Sequence, residues 1–170
     1  GIVRLSKEGV GQRLQIIRLL KPYDTFGYRS AMAGDSHSTS ATALEPTILY
    51  YVERDAFLEV IQKNIKFCYA VLVAMSKDLG ISETQTVNLT QKHIRGRLAE
   101  TLITLKNTYG LDGDGATIAM YIVREDLANM SNMTTSNAIR TLSQFASEGL
   151  ISLDGRKIKL LDESELTRIS

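Results

Sequence analysis

The chain has 170 residues with 44% hydrophobic and 23% charged residues, values typical of a globular protein with one medium or two small domains. Its formal net charge of +1 means that nucleic-acid binding would have to come from a local basic patch. The single cysteine, Cys68, excludes an internal disulfide and a four-cysteine iron–sulfur or zinc site, so we expect a reducing, cytoplasmic location.

The first region, residues 1–52, has the composition of β-structure. The segments 2–6, 13–20, 39–44 and 47–52 are short and rich in Ile, Val, Leu, Thr and Tyr, and turn-forming residues separate them. Several short strands at close spacing indicate a roll or barrel. About fifty residues make a thin core for such a domain, so we expect it to be truncated at its N-terminal side.

The second region, residues 53–92, changes to a helical period. Apolar and small residues recur there every seven positions, which predicts a continuous seam along one helix face. The apolar run 67–75 is about half as long as the roughly 20 residues that a membrane span requires, so no membrane association is expected. The seam residues are Cys68, Met75, Ser82 and Leu89, with Leu72, Leu79 and Thr86 as the companion row.

Two interpretations of this seam remain open. The helix could pack on its own β domain, or it could pair with the same helix of a second copy. We favour the dimer, because the repeat runs over several turns while the flanking positions stay polar. Gly80 and the weakly helical stretch 82–86 interrupt the repeat, so an ideal coiled coil is not predicted.

The third region begins at residue 93 with an amphipathic helix. One stripe holds four apolar residues, and Gly110 suits the position that follows a helix C-terminus. Residues 111–115 then form a loop. The basic cluster 92–97 could contact phosphate or could be a solvated face, and the sequence favours neither. The stripe residues are Ile94, Leu98, Leu102 and Leu105.

Residues 124–151 carry the most specific pattern in the chain. A first helix turns Leu127, Ala128 and Met130 inward, and Asn132 occupies a sharp turn because asparagine tolerates positive φ. Met133 is expected to pin the two helices together inside that turn. Two helices joined by a three- to four-residue turn make a helix-turn-helix.

The second helix of this motif has a predicted start, buried face and end. Thr134 caps its N-terminus, and Gly149 closes it. Its inward face is made of apolar residues at helical spacing. These are Ala138, Ile139, Leu142, Phe145 and Ala146.

A β-hairpin follows the second helix. Residues 150–161 alternate apolar and polar side chains on both sides of Asp154–Gly155, a dipeptide that strongly favours a tight hairpin turn. The hairpin would form the wing of a winged helix. Arg156, Lys157 and Lys159 place positive charge on that wing, where it suits phosphate contacts.

Polar residues at the start of the second helix predict its function. With the apolar residues turned inward, Thr135, Ser136 and Arg140 project outward at the end that carries the positive helix dipole. Arg140 could bond guanine O6 and N7, and Arg124 could hold the DNA backbone. The alternative is a solvated face with redundant caps. The full set of predicted DNA contacts is Arg124, Thr134, Thr135, Ser136, Asn137, Arg140, Arg156 and Lys157.

Residues 1–161 resemble the C-terminal four-fifths of the catabolite activator / fumarate–nitrate regulator (CRP/FNR) family. The matching stretches are "LLKPYDTFGYRS", "AGDSHSTSATAL", "HIRGRLAETLITL" and "REDLANMSNMTTSNAIRTLSQFASEGLI". The resemblance implies an α+β fold: a partial N-terminal β-roll like a cyclic-nucleotide-binding domain, a long dimerisation helix and a C-terminal winged helix-turn-helix. It divides the chain into an effector domain (1–52), a dimerisation region (53–92) and a DNA-binding domain (93–170).

The resemblance also implies a homodimeric transcription regulator in which residues at the positions of Thr135, Ser136 and Arg140 contact bases. We expect it to bind pseudo-palindromic DNA, to respond to a small-molecule effector in the roll and to contact RNA polymerase. The alternative is a protein-interaction adaptor without specific DNA binding. An enzyme is not expected, because no nucleophile–base pair with credible spacing is present.

The effector pocket of the family is altered in this chain. Cyclic-nucleotide binders carry an acid directly after the cassette glycine, where this chain has Tyr28 after Gly27. Their phosphate-binding arginine and serine correspond here to His37 and Ser38. We therefore do not expect cyclic AMP to bind in the usual mode, and the effector is unknown. The pocket candidates are Gly27, Tyr28, Arg29, Ser30, His37, Ser38, Ser82 and Glu83.

Cofactors and metals have little support in the sequence. His37 could ligate haem, but a lone histidine in a loop is more often a surface residue, and iron–sulfur binding lacks cysteines. His93 could be a pH-sensitive contact at the hinge before the DNA-binding domain, or simply a solvated residue. Cys68 could form an intersubunit disulfide, although burial as a small hydrophobe is expected.

Overall fold

A computed structural model describes residues 1–170, which form two compact units. The first unit contains Gly1–Glu8 and Ile17–Val87, and the second contains Gly9–Ile16 and Asn88–Ser170. The helices are α1 (Tyr28–Ala33), α2 (Arg54–Lys63), α3 (Ile65–Gln91), α4 (Ile94–Tyr109), α5 (Arg124–Met130), α6 (Thr135–Ser147) and α7 (Glu163–Ile169). The strands are β1 (Val3–Glu8), β2 (Leu14–Leu20), β3 (Ser40–Ala43), β4 (Ile151–Asp154) and β5 (Lys157–Leu160).

The N-terminal sheet has the strand order β2-β1-β3. Strands β1 and β3 pair antiparallel, with Val3 opposite Ala43 and Ser6 opposite Ser40. These three strands confirm the β-structure predicted near 2–6, 13–20 and 39–44. The predicted fold class is likewise confirmed, because a sheet is followed by a long helix and a helix-turn-helix with a wing.

The strand predicted at 47–52 is wrong. This segment forms no strand, and Ile48 and Tyr50 are 85% and 94% exposed. Its composition favours a strand, but β propensity takes effect only where a neighbouring strand supplies hydrogen bonds and packing. No strand of the chain pairs with it.

Helix α1 lies inside the region that was expected to contain only β-structure. Glycines in the left-handed conformation bound it, with Gly27 at φ 85° before the helix and Gly34 at φ 70° after it. The two glycines were visible in the sequence, but the six residues between them are too few to show a helical period. The helix leaves Arg29 exposed and Tyr28 half-buried.

The helical region is divided at Asn64, which is extended between α2 and α3. Helix α3 then runs for 27 residues without a break. The interruption predicted at Gly80 and 82–86 does not break the helix, because each weak helix former costs only about 0.5–1 kcal/mol. Thr84 donates a hydrogen bond to the Gly80 carbonyl and Thr86 to the Ser82 carbonyl, which satisfies both hydroxyls inside the helix.

The second unit has the larger core. Its central helix α4 buries Leu98, Leu102 and Leu105 completely, but Ile94 is 39% exposed and does not belong to the predicted stripe. Ile94 is the first residue of α4. Helices α5, α6 and α7 all pack against α4.

Helix α7 was not predicted. Its sequence is mostly polar, and only Leu166 is buried, at 0% exposure, where α7 packs on α4. The capping pattern was readable: Asp162 accepts a hydrogen bond from the Glu165 amide at 2.9 Å.

Among all the helices of the chain, none combines the length and apolar character needed to cross a membrane.

Candidate nucleic-acid interface

The turn between α5 and α6 has the geometry that the sequence predicts. Asn132 has φ 48°, in the left-handed region that asparagine tolerates. Met133 is 5% exposed, and its amide donates to the Ala128 carbonyl at 3.0 Å, so the turn closes onto α5. Leu127 and Ala128 are fully buried as expected, whereas Met130 is only half-buried.

The inward face of α6 differs from the prediction at one position. Ala138, Leu142 and Phe145 are buried, but Ile139 is 49% exposed, so its assignment to the core is wrong. The buried stripe runs through positions 138, 141, 142 and 145, and residue 139 lies about 100° from residue 138 around the helix axis. Thr141 takes the inward place instead, and Ala146 is half-buried.

The start of α6 is capped by Thr134, as predicted. Its hydroxyl accepts a hydrogen bond from the Asn137 amide at 3.3 Å and lies 3.1 Å from the Ser136 hydroxyl. We expect Thr134→Ala to lower the free energy of unfolding by about 1 kcal/mol, because one amide of the first turn loses its partner. Thermal unfolding of this variant beside Thr135→Ala checks the prediction. Equal losses in the two variants would contradict the capping role.

The outer edge of α6 is polar and accessible. Thr135, Ser136 and Arg140 are exposed, and Asn137 is half-buried. The Arg140 guanidinium makes no ion pair or hydrogen bond within the chain. An unpaired cation and three small polar side chains at a helix N-terminus form a surface that suits base edges and phosphates.

The wing is the antiparallel pair β4–β5, in which Asp154 is opposite Lys157. The two turn residues are Gly155 and Arg156, one position later than the predicted Asp154–Gly155. Gly155 has φ 54°, the conformation that a glycine provides at the first central position of a hairpin turn. Residues 116–118 lie beside β5 as a third extended segment of the wing, because the Ile118 amide donates to the Ile158 carbonyl.

The positive charges of the wing differ in availability. Arg156 is exposed, whereas the Lys157 ammonium lies 5.4 Å from the centre of the Tyr121 ring. Lys159 pairs with Asp114 at 3.3 Å, so its charge is neutralised within the chain. Hydrogen bonds from the Thr117 and Ala116 amides hold the Asp114 carboxylate in place and keep its pKa well below its usual range. Arg156 and Lys157 are therefore the wing cations most available to a phosphate.

Arg124 connects the start of α5 to the wing. Its Nη2 donates to the Gly155 carbonyl at 2.7 Å, while its Nη1 is buried without a partner. Burial lowers the pKa of this guanidinium. Arg124 lies beside the wing turn, but its buried Nη1 is not accessible to a phosphate in this conformation, so its contact with a DNA backbone stays a prediction.

The basic cluster 92–97 is engaged inside the second unit. Arg95 donates to the Glu148 carboxylate, and this bond raises the pKa of Arg95. The Arg95 guanidinium also lies 4.7 Å from the centre of the Phe145 ring. Lys92 pairs with Glu100 at 3.2 Å. Arg97 donates to three main-chain carbonyls. His93 is exposed at the N-cap position of α4.

The predicted effector residues are only partly brought together. Gly27 and His37 are neighbours, because a Cβ at residue 27 would lie 3.4 Å from the imidazole. Arg29 donates to the Ser38 hydroxyl at 3.1 Å, a hydrogen bond within the segment 27–38. Ser30 is buried. Ser82 and Glu83 lie on α3, and both are exposed.

Tyr28 takes part in a polar cluster that sequence analysis did not predict. Its hydroxyl donates to the Asp78 carboxylate, which also accepts from Arg18 at 2.6 Å. Burial and the bond to Asp78 raise the pKa of Tyr28. The cluster joins β2, α1 and α3 within the first unit. A residue 50 positions away supplies the carboxylate, so local sequence could not reveal it.

We expect this cluster to lower the free energy of unfolding as the pH becomes alkaline. Because the folded-state pKa of Tyr28 lies above the value of about 10 for a free tyrosine, its contribution is complete below pH 10 and is lost as the pH rises through the folded-state value. Tyr28→Phe should lose about 0.5–1.5 kcal/mol near neutrality and unfold with a shallower alkaline slope. Urea unfolding from pH 7 to 11, with Tyr23→Phe as an exposed control, tests this. An unchanged slope would refute it.

The seam of α3 is uncovered in the single chain. No residue of this helix is buried, and the apolar side chains Leu72 and Leu79 are 52% and 62% exposed. Cys68 and Met75 are half-buried, and Ser82 and Leu89 are accessible.

No group of three or more histidine, cysteine or carboxylate side chains that could hold a metal occurs in the chain.

Comparison with known proteins agrees with this architecture. A family described as the Crp-like helix-turn-helix domain matches residues 96–169, and one described as the cyclic nucleotide-binding domain matches residues 1–64. The "CRP-like cAMP-activated global transcriptional regulator" of Mycobacterium tuberculosis is 22% identical over 169 residues, which cover 99% of this chain and 75% of that protein. "Electron transport regulator A" of Shewanella oneidensis is 26% identical over a match that covers 86% of this chain and 59% of that protein.

Solved structures show the same fold. FixK2 from Bradyrhizobium japonicum superposes with a TM-score of 0.84 at 23% identity, over 100% of this chain and 83% of that one. A CRP-family transcriptional regulator from Thermus thermophilus superposes with a TM-score of 0.83 at 22% identity, over 99% and 83% of the two chains. At these identities the likeness is one of fold.

Proposed function

The chain belongs to the CRP/FNR family of DNA-binding transcription regulators, and from this premise we propose that it acts as a homodimer on a pseudo-palindromic DNA site. The family consists of regulators rather than enzymes. The observation that carries the proposal is the edge of α6, where exposed polar side chains and the unpaired Arg140 stand at a capped helix N-terminus.

The proposed contacts divide into two kinds. Thr135, Ser136 and Arg140 would contact base edges in the major groove, because they lie on the exposed side of the recognition helix α6. The remaining contacts would hold phosphates and fix the register of the protein on the duplex. They are Arg124, Thr134, Asn137, Arg156 and Lys157.

The proposed dimer forms through α3. Its heptad seam leaves Leu72 and Leu79 about half exposed or more, and a second copy of the same helix would cover them. Two recognition helices related by a two-fold axis read half-sites that are about 34 Å apart, one turn of DNA. The exposed seam of α3 supports a dimerisation region at 53–92, between an effector domain at 1–52 and a DNA-binding domain at 93–170.

We propose that a small molecule other than cyclic AMP in its usual mode controls the dimer. The name of the tuberculosis relative states activation by cAMP, but this chain has Tyr28 after the cassette glycine, and that hydroxyl already donates to Asp78. We propose Gly27, His37 and Ser38 as candidate contacts for this molecule, with Ser82 as a candidate from α3. A regulator of this kind would act in the cytoplasm together with RNA polymerase.

Selection of bound duplexes from a random pool, at low and at moderate salt, tests the function. Enrichment of a two-fold symmetric sequence is expected, with affinity that falls steeply as salt rises, because each neutralised phosphate releases counterions. Recovery of no motif, with binding that barely depends on salt, would favour a protein-interaction adaptor instead.

A further inference from the structure

A polar network occupies the junction between α3 and α4 within the second unit. The Glu100 carboxylate on α4 accepts from Asn88 Nδ2 at 2.6 Å and pairs with Lys92 Nζ at 3.2 Å. Asn88 lies in the last turn of α3, and Lys92 follows its end. Glu100 is half-buried, so solvent screens these bonds less than it would at a fully exposed site. The last turn of α3 is thus fixed to the second turn of α4.

Arg97 continues this network to the helix-turn-helix. Its Nη1 donates to the Lys92 carbonyl at 2.8 Å, and its Nε donates to the Ser131 carbonyl at 2.9 Å. Its Nη2 donates to the Asn132 carbonyl at 3.2 Å. One guanidinium therefore joins the main chain at the end of α3 to the main chain of the turn that precedes α6. Only the planar fork of an arginine can hold these carbonyls together.

A second contact holds the same turn to α4. The Ser131 hydroxyl donates to the Thr101 hydroxyl at 2.9 Å, and the Thr101 hydroxyl donates to the Arg97 carbonyl at 2.8 Å. Ser131 and Thr101 are 2% and 7% exposed. Because this buried contact does not involve the guanidinium, the turn would keep its place in the core without Arg97. What the guanidinium adds is the connection to the end of α3.

We propose that Arg97 is a positioning residue for DNA recognition, which sets the orientation of the recognition helix relative to the last turn of the dimer helix. This rests on the proposed function. In a symmetric dimer, a change of that orientation is duplicated by the two-fold axis and moves the two recognition helices out of register with the two half-sites. Each recognition helix by itself keeps its contacts with its own half-site.

Phosphate binding is the competing role for Arg97. The distances argue against it, because each nitrogen of the guanidinium already donates to a carbonyl of the chain. A phosphate contact would also be made on every half-site, whether or not a second half-site is present. The two roles therefore predict different results on duplexes that carry one or two half-sites.

The test measures the affinity of the full chain for a symmetric duplex and for a duplex with one half-site. Arg97→Lys keeps the charge but loses the fork, and Glu100→Ala releases Asn88 and Lys92 while Arg97 remains. Arg168→Lys is the matched control, because it makes the same substitution at an arginine that pairs with Glu165 within α7 and bonds neither the turn nor α6.

For Arg97→Lys and Glu100→Ala we expect the affinity advantage of the symmetric duplex over the half-site to fall by about tenfold, with half-site affinity changed little. Arg168→Lys should leave the advantage unchanged. Equal losses on both duplexes for Arg97→Lys would overturn the proposal and assign Arg97 to phosphate binding or to simple stability. If the unaltered protein shows no advantage for the symmetric duplex, the proposed dimeric function fails, and the positioning role fails with it.

Discussion

Leu79→Glu is expected to convert the proposed dimer to monomers and to weaken binding to a symmetric duplex at least about 100-fold. Leu79 is 62% exposed in the single chain, so the substitution leaves the fold of one copy unstrained. In the proposed seam the two glutamates would face each other in an apolar interface, and an uncompensated buried charge costs about 3–5 kcal/mol. Sedimentation at micromolar concentration and titration of the duplex measure both effects.

Lys77→Glu is the matched control for this prediction. Residue 77 lies two positions before Leu79 in the heptad and therefore on the opposite side of α3, and it is exposed. The same charge placed there should leave the dimer intact. If Leu79→Glu sediments as the unaltered protein does, α3 is not the dimer seam, and its exposed stripe has some other occupant.

Arg140→Ala is expected to relax sequence preference at one base pair in each half-site. The unpaired guanidinium can donate two bonds to guanine, and such a pair is worth about 1–3 kcal/mol of discrimination. Affinity for the preferred site should fall by that amount per half-site, while affinity for the site with the changed base pair should fall much less. Competition binding over all four bases at each position of the half-site measures the effect.

Arg156→Ala serves as the comparison for a phosphate contact. Arg156 lies in the wing turn, so its loss should weaken binding on all sequences alike and reduce the slope of log affinity against log salt by about one for each half-site, or about two for the proposed dimer. If Arg140→Ala behaves in this uniform way as well, Arg140 contacts a phosphate. Its assignment to base recognition would then be wrong.

Local patterns predicted the helix-turn-helix because its determinants are close together in the chain. Asn132, Met133 and Thr134 each have a conformational or capping role that a single sequence reveals. Ile139 was misplaced because it borders the buried stripe, where the period alone does not separate core from surface. The sequence therefore predicted where α6 begins better than it predicted which residues at the edge of its apolar face are buried.

The features that sequence analysis missed depend on distant partners. The segment 47–52 has a strand's composition but no pairing strand, and Tyr28 gains its role from Asp78 on α3. The cluster 92–97 was expected either to meet phosphate or to be solvated. Lys92, Arg95 and Arg97 of this cluster have partners within the chain and His93 is exposed, so a phosphate contact stays a prediction. Arg97 is engaged by carbonyls of Ser131 and Asn132, which lie more than thirty residues later.

The most direct test of the central claim changes the distance between two half-sites. The symmetric duplex is compared with one in which about 5 base pairs, half a helical turn, are inserted at its centre. A dimer joined through α3 holds two recognition helices on one face of the DNA, so the insertion should reduce affinity to that of a single half-site. Affinity that is unchanged by the insertion would contradict the account, because the two DNA-binding units would then act independently.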